Sequence, residues 1–178
     1  MGNLFKEKVS QNPFQNLFRQ EKLIMKAILQ RISEGKVVID GETVAQCGRG
    51  LMILLGVAQG DTEADADLLA AKIVKMRIFA DENDKMNLSV ADIGGGVMVV
   101  PNFTLLASYR KGNRPDYMQS AAPDEAKRLF EYFTSLIAKE IPDTTHGQFG
   151  ADMKVSITND GPCTIPMDSE VLKQPKRQ

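Results

Sequence analysis

The sequence predicts a mixed α/β domain, and three features point to it. Leu51 to Val57 is a continuous apolar run, Gly56 included, which suits a strand buried on both faces. Two stretches, Glu63 to Met76 and Pro123 to Glu140, carry apolar residues at helical spacing. Around them lie short apolar or alternating segments bounded by Gly, Asp, Asn and Pro, the pattern of strands between turns.

The folded domain begins at Met25 and runs to Gln178, after a polar, aperiodic extension over residues 1–24. Lys26 to Ile32 reads as a strand, Ser33-Glu34-Gly35 as a turn and Lys36 to Ile39 as a second strand. Asp40-Gly41 is a strong hairpin signal before a strand from Glu42 to Gln46. Gly48-Arg49-Gly50 breaks the chain ahead of the Leu51 to Val57 strand. Thr62 and Asp65 form a capping-box pair at the start of the first helix, whose core stripe is Leu69, Ile73 and Met76. A polar turn at Asp81 to Lys85 leads to a short strand from Met86 to Val90. Gly94-Gly95-Gly96 is a flexible break; no Lys-Ser/Thr follows, so it is not a phosphate loop. Val97 to Leu106 is a second apolar strand, interrupted by Pro101 and Asn102. Ser108 to Tyr117 is a loop with Arg110, Lys111 and Arg114. The second helix starts with Pro123, Asp124 and Glu125, which suit a first turn, and buries Leu129, Phe130, Phe133, Leu136 and Ile137. Met153 to Thr158 alternates as a strand, Asn159-Asp160-Gly161-Pro162 is a sharp turn, Cys163 to Pro166 closes the sheet, and a basic, frayed tail follows from Lys173. Both helices fit one side of this sheet, so the other side needs a second sheet layer or a partner subunit.

Composition narrows the function. A formal net charge of -1 argues against capture of nucleic acid by overall charge, though not against a local basic patch. No apolar run is long enough to span a bilayer, and the first 24 residues lack the order of a signal peptide. Two distant cysteines, Cys47 and Cys163, suit a reduced, cytoplasmic protein. One histidine, His146, excludes a multi-histidine metal site within a chain, and no cofactor motif stands out.

Two segments depart from plain structure. Pro101-Asn102-Phe103-Thr104-Leu105 places a proline and an amide inside an apolar strand, which must then end, bulge or lie at an edge. Such a break can turn N–H groups toward an oxyanion, or it can be an ordinary strand end capped by asparagine. Asn159-Asp160-Gly161-Pro162-Cys163-Thr164 offers a rigid main-chain surface, suited to excluding a side chain of one handedness, or a plain turn. His146 reads as a surface residue and Cys163 as a small buried one. Arg31, ending an apolar strand, must be edge-exposed or paired.

Taken together, these segments resemble the D-aminoacyl-tRNA deacylase family over about Met25 to Pro166. Met25 to Arg31 is similar to the family's opening strand with its Gln-Arg pair, and Leu54-Leu55-Gly56-Val57 to the next. Arg77-Ile78-Phe79, Lys85-Met86-Asn87, Arg114-Pro115, Phe149 to Met153 and Asn159-Asp160-Gly161-Pro162 continue the likeness in order. The resemblance implies a layered β/β/α sandwich that forms a homodimer with its site at the subunit interface. It implies a substrate, the ester of a D-amino acid or glycine on the acceptor end of tRNA. Gly161 and Pro162 then form a Gly-cis-Pro element that enters the partner's site and rejects L side chains. Phe103 and Thr104 match the catalytic motif, with Asn102 at the position before them, and there the Phe N–H holds the carbonyl oxygen. Thr104 is a nucleophile in one family view; in the other the ribose 2′-hydroxyl assists water, which fits better because no local base is visible. Phe149, Gly150 and Met153 match an adenine pocket, and Arg31 is a further substrate-binding position.

The departures are specific. The family's Ser-Gln is Pro101-Asn102 here, which keeps an amide but shortens its reach. A proline there resembles a related group that removes L-alanine from tRNA, although that group carries a different residue where Phe103 stands. Cys163 replaces the usual apolar residue after Gly-Pro, and Gln148 an arginine. Editing of L-alanyl-tRNA, or tRNA binding without catalysis, are the alternatives.

Overall fold

The computed structural model describes residues 24–110 and 112–174. The expected extension therefore lies, Ile24 apart, outside the described residues, as do Lys111 and the tail beyond Gln174.

Strand β1 (Lys26–Ile39) is one 14-residue strand where a turn at Ser33-Glu34-Gly35 was expected. Those residues sit where β1 exchanges one partner for another. Its first half pairs antiparallel with β3 (Gly50–Gly56), from Lys26 opposite Gly56 to Ile32 opposite Gly50. Its second half pairs with β2 (Glu42–Cys47), from Gly35 opposite Cys47 to Ile39 opposite Glu42. Its other edge is lined by β8 (Lys154–Asp168). Gly35 is needed for packing rather than for turning, since a Cβ there would lie 2.9 Å from Met98 Cε. The Asp40-Gly41 hairpin forms as the sequence predicts, with φ of 50° and 87°. Positive φ at both central residues matches the twist of the two strands.

Strand β3 pairs parallel with β6 (Gly96–Pro101), and β6 parallel with β7 (Thr144–His146). Parallel neighbours need long crossovers. Helix α1 (Glu63–Val74) lies in the first and helix α2 (Pro123–Glu140) in the second. The Asp65 carboxylate accepts the Thr62 N–H and hydroxyl at 3.1 and 3.0 Å, so the capping residues predicted for α1 act as such. Helix α1 stops two residues short of Met76, and α2 has the predicted ends. A small separate sheet joins β4 (Phe79–Ala80) and β5 (Met86–Leu88), the latter shorter than the predicted 86–90.

The period of two in β3 and β6 sorts their side chains into two cores. Leu51, Ile53, Leu55, Val97 and Val99 pack with Leu69 and Ile73 of α1 and Leu129, Phe130 and Phe133 of α2. Met52, Met98 and Val100 face the other way, onto Ile32 and Val37 of β1 and Ala45 and Cys47 of β2. The cover needed on that side is therefore the sheet itself, curled back as a second β layer.

Four further corrections follow, the first from the missing N–H of Pro101 and the others from contacts between distant parts of the chain. The strand from Val97 ends at Pro101, not Leu106, and passes into a 3₁₀ turn at Phe103–Leu106. His146 ends β7 rather than sitting in a loop, because β6 offers it a free parallel edge. Strand β8 continues on both sides of the expected turn, because its pairing with β1 resumes at Thr164 after skipping residues 160–163, which bulge from the ladder. Lys173 ends a short helix, α3 (Ser169–Lys173), and its ammonium pairs with Asp65 of α1 at 2.5 Å.

Candidate active site

Pro101 has no N–H to donate to a ladder, and β6 ends on it. The next N–H, of Asn102, bonds the Leu55 carbonyl at 2.8 Å and pins the chain to β3. Asn102 is extended, with φ of -146° and ψ of 90°, and its side chain caps the 3₁₀ turn. Its Oδ1 accepts the Thr104 N–H at 3.1 Å and the Thr104 hydroxyl at 2.5 Å. Phe103 opens the turn, and the first N–H groups of a helical turn have no acceptor within it. Phe103 is 57% exposed as a residue, and its ring meets Tyr117 edge-on at 5.0 Å.

This turn borders a cavity of about 760 Å³, within the ordinary size range of small-molecule sites. Pro101, Asn102 and Phe103 line one part of it, Ala126 and Phe130 of α2 another, and Phe149, Gly150 and Met153 a third. Gly150 has φ of 79°, a conformation that glycine adopts without a Cβ penalty. Of the residues that the sequence singles out, Asn102, Phe103, Phe149, Gly150 and Met153 thus meet around one cavity. Thr104 stands behind the turn, hydrogen-bonded to Asn102, and does not line it.

Arg31, Gly161 and Pro162 are not part of that lining. They belong to an excursion of β8. Thr164 lies opposite Gln30 and Asn159 opposite Ile32, so residues 160–163 all face the single residue Arg31. The Arg31 Nε lies 2.9 Å from Asp160 Oδ2 and donates to the Asp160 carbonyl at 3.2 Å, while Nη1 donates to the Ile78 carbonyl at 2.6 Å. Arg31 is thus paired, one of the two options its sequence position allowed. Asn159 Nδ2 donates to the carbonyls of Arg31 at 2.7 Å and Cys163 at 3.2 Å. The Gly161–Pro162 peptide is cis, and both residues are exposed. The excursion is braced at its base and open at its tip.

Other candidates do not join the cavity. Burial pushes the Cys47 thiol up to about 11, with the Asp143 charge adding to it, so it is no thiolate at neutral pH. Cys163 is half-buried on β8. Among the described residues, no group of three His, Cys, Asp or Glu side chains is placed to hold a metal ion, and no helix is long and apolar enough to cross a membrane. Sequence reasoning missed the contribution of α2: Ala126 and Phe130 look like core positions, and Phe130 serves both core and cavity.

The family model described as D-Tyr-tRNA(Tyr) deacylase matches residues 28–168. The chain is 52% identical over 143 residues to the D-aminoacyl-tRNA deacylase of Variovorax paradoxus (strain S110), covering 80% of this chain and 98% of that protein. It is 51% identical over 144 residues to the D-aminoacyl-tRNA deacylase of Ruegeria pomeroyi (strain ATCC 700808 / DSM 15171 / DSS-3), covering 81% and 99%. Among solved structures it resembles the c-Myc DNA Unwinding Element Binding Protein, with a TM-score of 0.76 and 34% identity over 80% of this chain and 97% of that one. A structure described as a probable eukaryotic D-amino acid tRNA deacylase aligns with a TM-score of 0.71 over 81% of this chain and 98% of that one; at 16% identity it shows the likeness of fold.

Proposed function

The chain belongs to the D-Tyr-tRNA(Tyr) deacylase family, and from that premise we propose that it hydrolyses the ester between a D-amino acid, or glycine, and the terminal adenosine of tRNA. It is a D-aminoacyl-tRNA deacylase, a hydrolase acting on ester bonds. The observation that carries the placement of the site is the meeting of the Asn102–Thr104 turn with Phe149, Gly150 and Met153 at one cavity.

In this reading the adenine lies against Phe149, stacked on the ring. The ester carbonyl reaches the Phe103 N–H, whose partial positive charge offsets the negative charge that develops on oxygen as water adds. The water oxygen bonds to the carbonyl carbon, the bond to the ribose 3′-oxygen breaks, and that oxygen takes a proton. Free D-amino acid and tRNA result. Thr104 directs its hydroxyl proton at an amide oxygen, which is not a base. It is therefore no activated nucleophile, and the neighbouring ribose 2′-hydroxyl assists the water instead.

Selection by handedness falls to Gly161 and Pro162. They serve a second copy of the chain, in a homodimer whose site lies at the interface. An L side chain would meet this main-chain wedge, whereas hydrogen or a D side chain points elsewhere. Arg31 acts through Asp160 to hold the wedge and is a positioning residue. Residues 25–178 form the one deacylase domain, and the substrate places its work in the cytoplasm.

Pro101 and Asn102 favour a second reading, removal of L-alanine, because a shortened amide leaves room for a small L side chain. One deacylation assay across D-Tyr-tRNA, L-Tyr-tRNA, Gly-tRNA and L-Ala-tRNA separates the two. Hydrolysis of the first and third alone is expected. Equal loss of both tyrosyl enantiomers would overturn the chiral filter, and L-Ala-tRNA as the best substrate would establish the second reading.

A further inference from the structure

A second cavity of about 370 Å³ adjoins the first and shares Phe130 and Phe149 with it. Its other walls include Lys127 and Glu131 of α2, His146 of β7 and Gln148. Neither Asn102 nor Phe103 reaches it, so it lies beyond the Phe130–Phe149 wall from the reacting ester.

We propose that this cavity is a subsite for the penultimate nucleotide of the tRNA acceptor end, a cytidine. The proposal rests on the deacylase reading, in which the first cavity holds the terminal adenosine and its amino acid. The polynucleotide must then leave that cavity on the side away from the ester. Phe149 borders both spaces and gives the second base an aromatic surface, a contact that binds any base through its π-face. Glu131 accepts from the exocyclic amino group, the cytosine edge that a carboxylate reads. The Gln148 amide offers a donor to the acceptor edge beside it. Lys127 supplies charge for the phosphodiester. Its ammonium lies 3.8 Å from Glu131, with the two side chains 57% and 62% exposed. So exposed a pair contributes little to stability, and its partners are available to a ligand at small cost. Because the whole chain carries a formal charge of only -1, such a local cation matters more than any overall field.

The test compares D-tyrosyl esters of adenosine, of the dinucleotide cytidylyl-adenosine, and of whole tRNA. The native protein is expected to show a kcat/KM about tenfold higher on the dinucleotide ester than on the nucleoside ester. A Lys127→Ala, Gln148→Ala double variant, which keeps the Phe149 ring and Glu131, should reduce that advantage to about threefold and leave the nucleoside ester unchanged. Lys127 and Gln148 are exposed, so the fold should survive, as an unchanged melting temperature would show. Hydrolysis of the nucleoside ester with no gain from the added cytidine would overturn the subsite and leave the deacylase reading standing. So would an equal loss on both esters in the double variant. Failure to hydrolyse any of the three would overturn the deacylase reading and the subsite with it.

Discussion

One atom of Asn102 takes both polar hydrogens of Thr104: Oδ1 accepts the N–H at 3.1 Å and the hydroxyl at 2.5 Å. Asparagine here builds the turn that presents Phe103. The hydroxyl of Thr104 is spent on that turn. Thr104→Val should therefore keep kcat within about tenfold of the parent, whereas removing a true nucleophile costs about 10⁴-fold or more. Asn102→Ala releases both donors at once. It should cost about 1 kcal/mol of stability, as loss of a cap does, and lower kcat more than Thr104→Val. Steady-state deacylation and urea unfolding measure the two effects; a kcat for Thr104→Val at background level would restore threonine as nucleophile.

Gly161→Ala tests the wedge. A Cβ at Gly161 would meet nothing closer than Asn159 Oδ1 at 3.4 Å, an ordinary contact. Its backbone is not in the left-handed region, so alanine is unstrained. The variant should match parent stability within about 0.5 kcal/mol. In the proposed homodimer its methyl group would intrude into the neighbouring copy's cavity, and hydrolysis of D-Tyr-tRNA and Gly-tRNA should fall together. Parent rates on both would mean that the tip enters no site.

Arg31→Lys tests the brace. The guanidinium reaches Asp160 and Ile78 at the same time, and a lysine ammonium cannot copy that fork. Asp160 is half exposed, so solvent screens the pair, and the expected stability loss is about 1 kcal/mol. The larger effect should fall on selectivity. A loosened excursion admits L substrates, so the ratio of D-Tyr-tRNA to L-Tyr-tRNA hydrolysis should drop. A ratio held at the parent value would remove Arg31 from the filter.

Stability should also vary with pH through Asp61. Burial raises this carboxyl to about 6 and the Asp65 charge adds to the rise, while hydrogen bonds from the Ala58 and Met25 backbone oppose it. Below about 6 the folded state binds a proton that the unfolded chain releases above the ordinary aspartate range near 3.8. Stability from this group therefore falls as pH rises through that window and stays low above it. Asp65 has the opposite sign. Lys173, Ser169 and Thr62 hold it near 2 against the cost of burial, so its contribution is lost as pH falls toward 2. Asp61→Asn keeps an oxygen for the Ala58 N–H, which now bonds Asp61 Oδ2 at 2.6 Å, and removes the charge. Urea unfolding at pH 4.5 and pH 7.5 should show the variant gaining on the parent at the higher pH. An identical pH slope in both proteins would mean that Asp61 does not titrate as buried.

Helix α2 was legible at both ends because its signals are local: a proline in the first turn and an apolar stripe at fixed spacing. The Asp40-Gly41 hairpin was legible for the same reason. Ser33 to Gly35 and Asn159 to Pro162 carry equally strong local turn signals, yet both lie within strands. Ser33 to Gly35 are spanned by the pairing of β1 with β8, which joins residues more than a hundred apart, and the same pairing resumes beyond the unpaired residues 160–163. No window of sequence contains that pairing.

The sequence by itself determined which segments have an apolar face, where proline interrupts β6, and, through resemblance, the family. These follow from side-chain chemistry at fixed local periods. Only the tertiary structure decided that the Asn102–Phe103 turn and the Phe149–Met153 segment share a cavity, that Arg31 grips Asp160, and that a second cavity continues behind Phe149. Those are contacts between residues remote in sequence. They are selected by the joint burial of two cores on opposite faces of one curled sheet, a condition on the whole chain that no single segment carries.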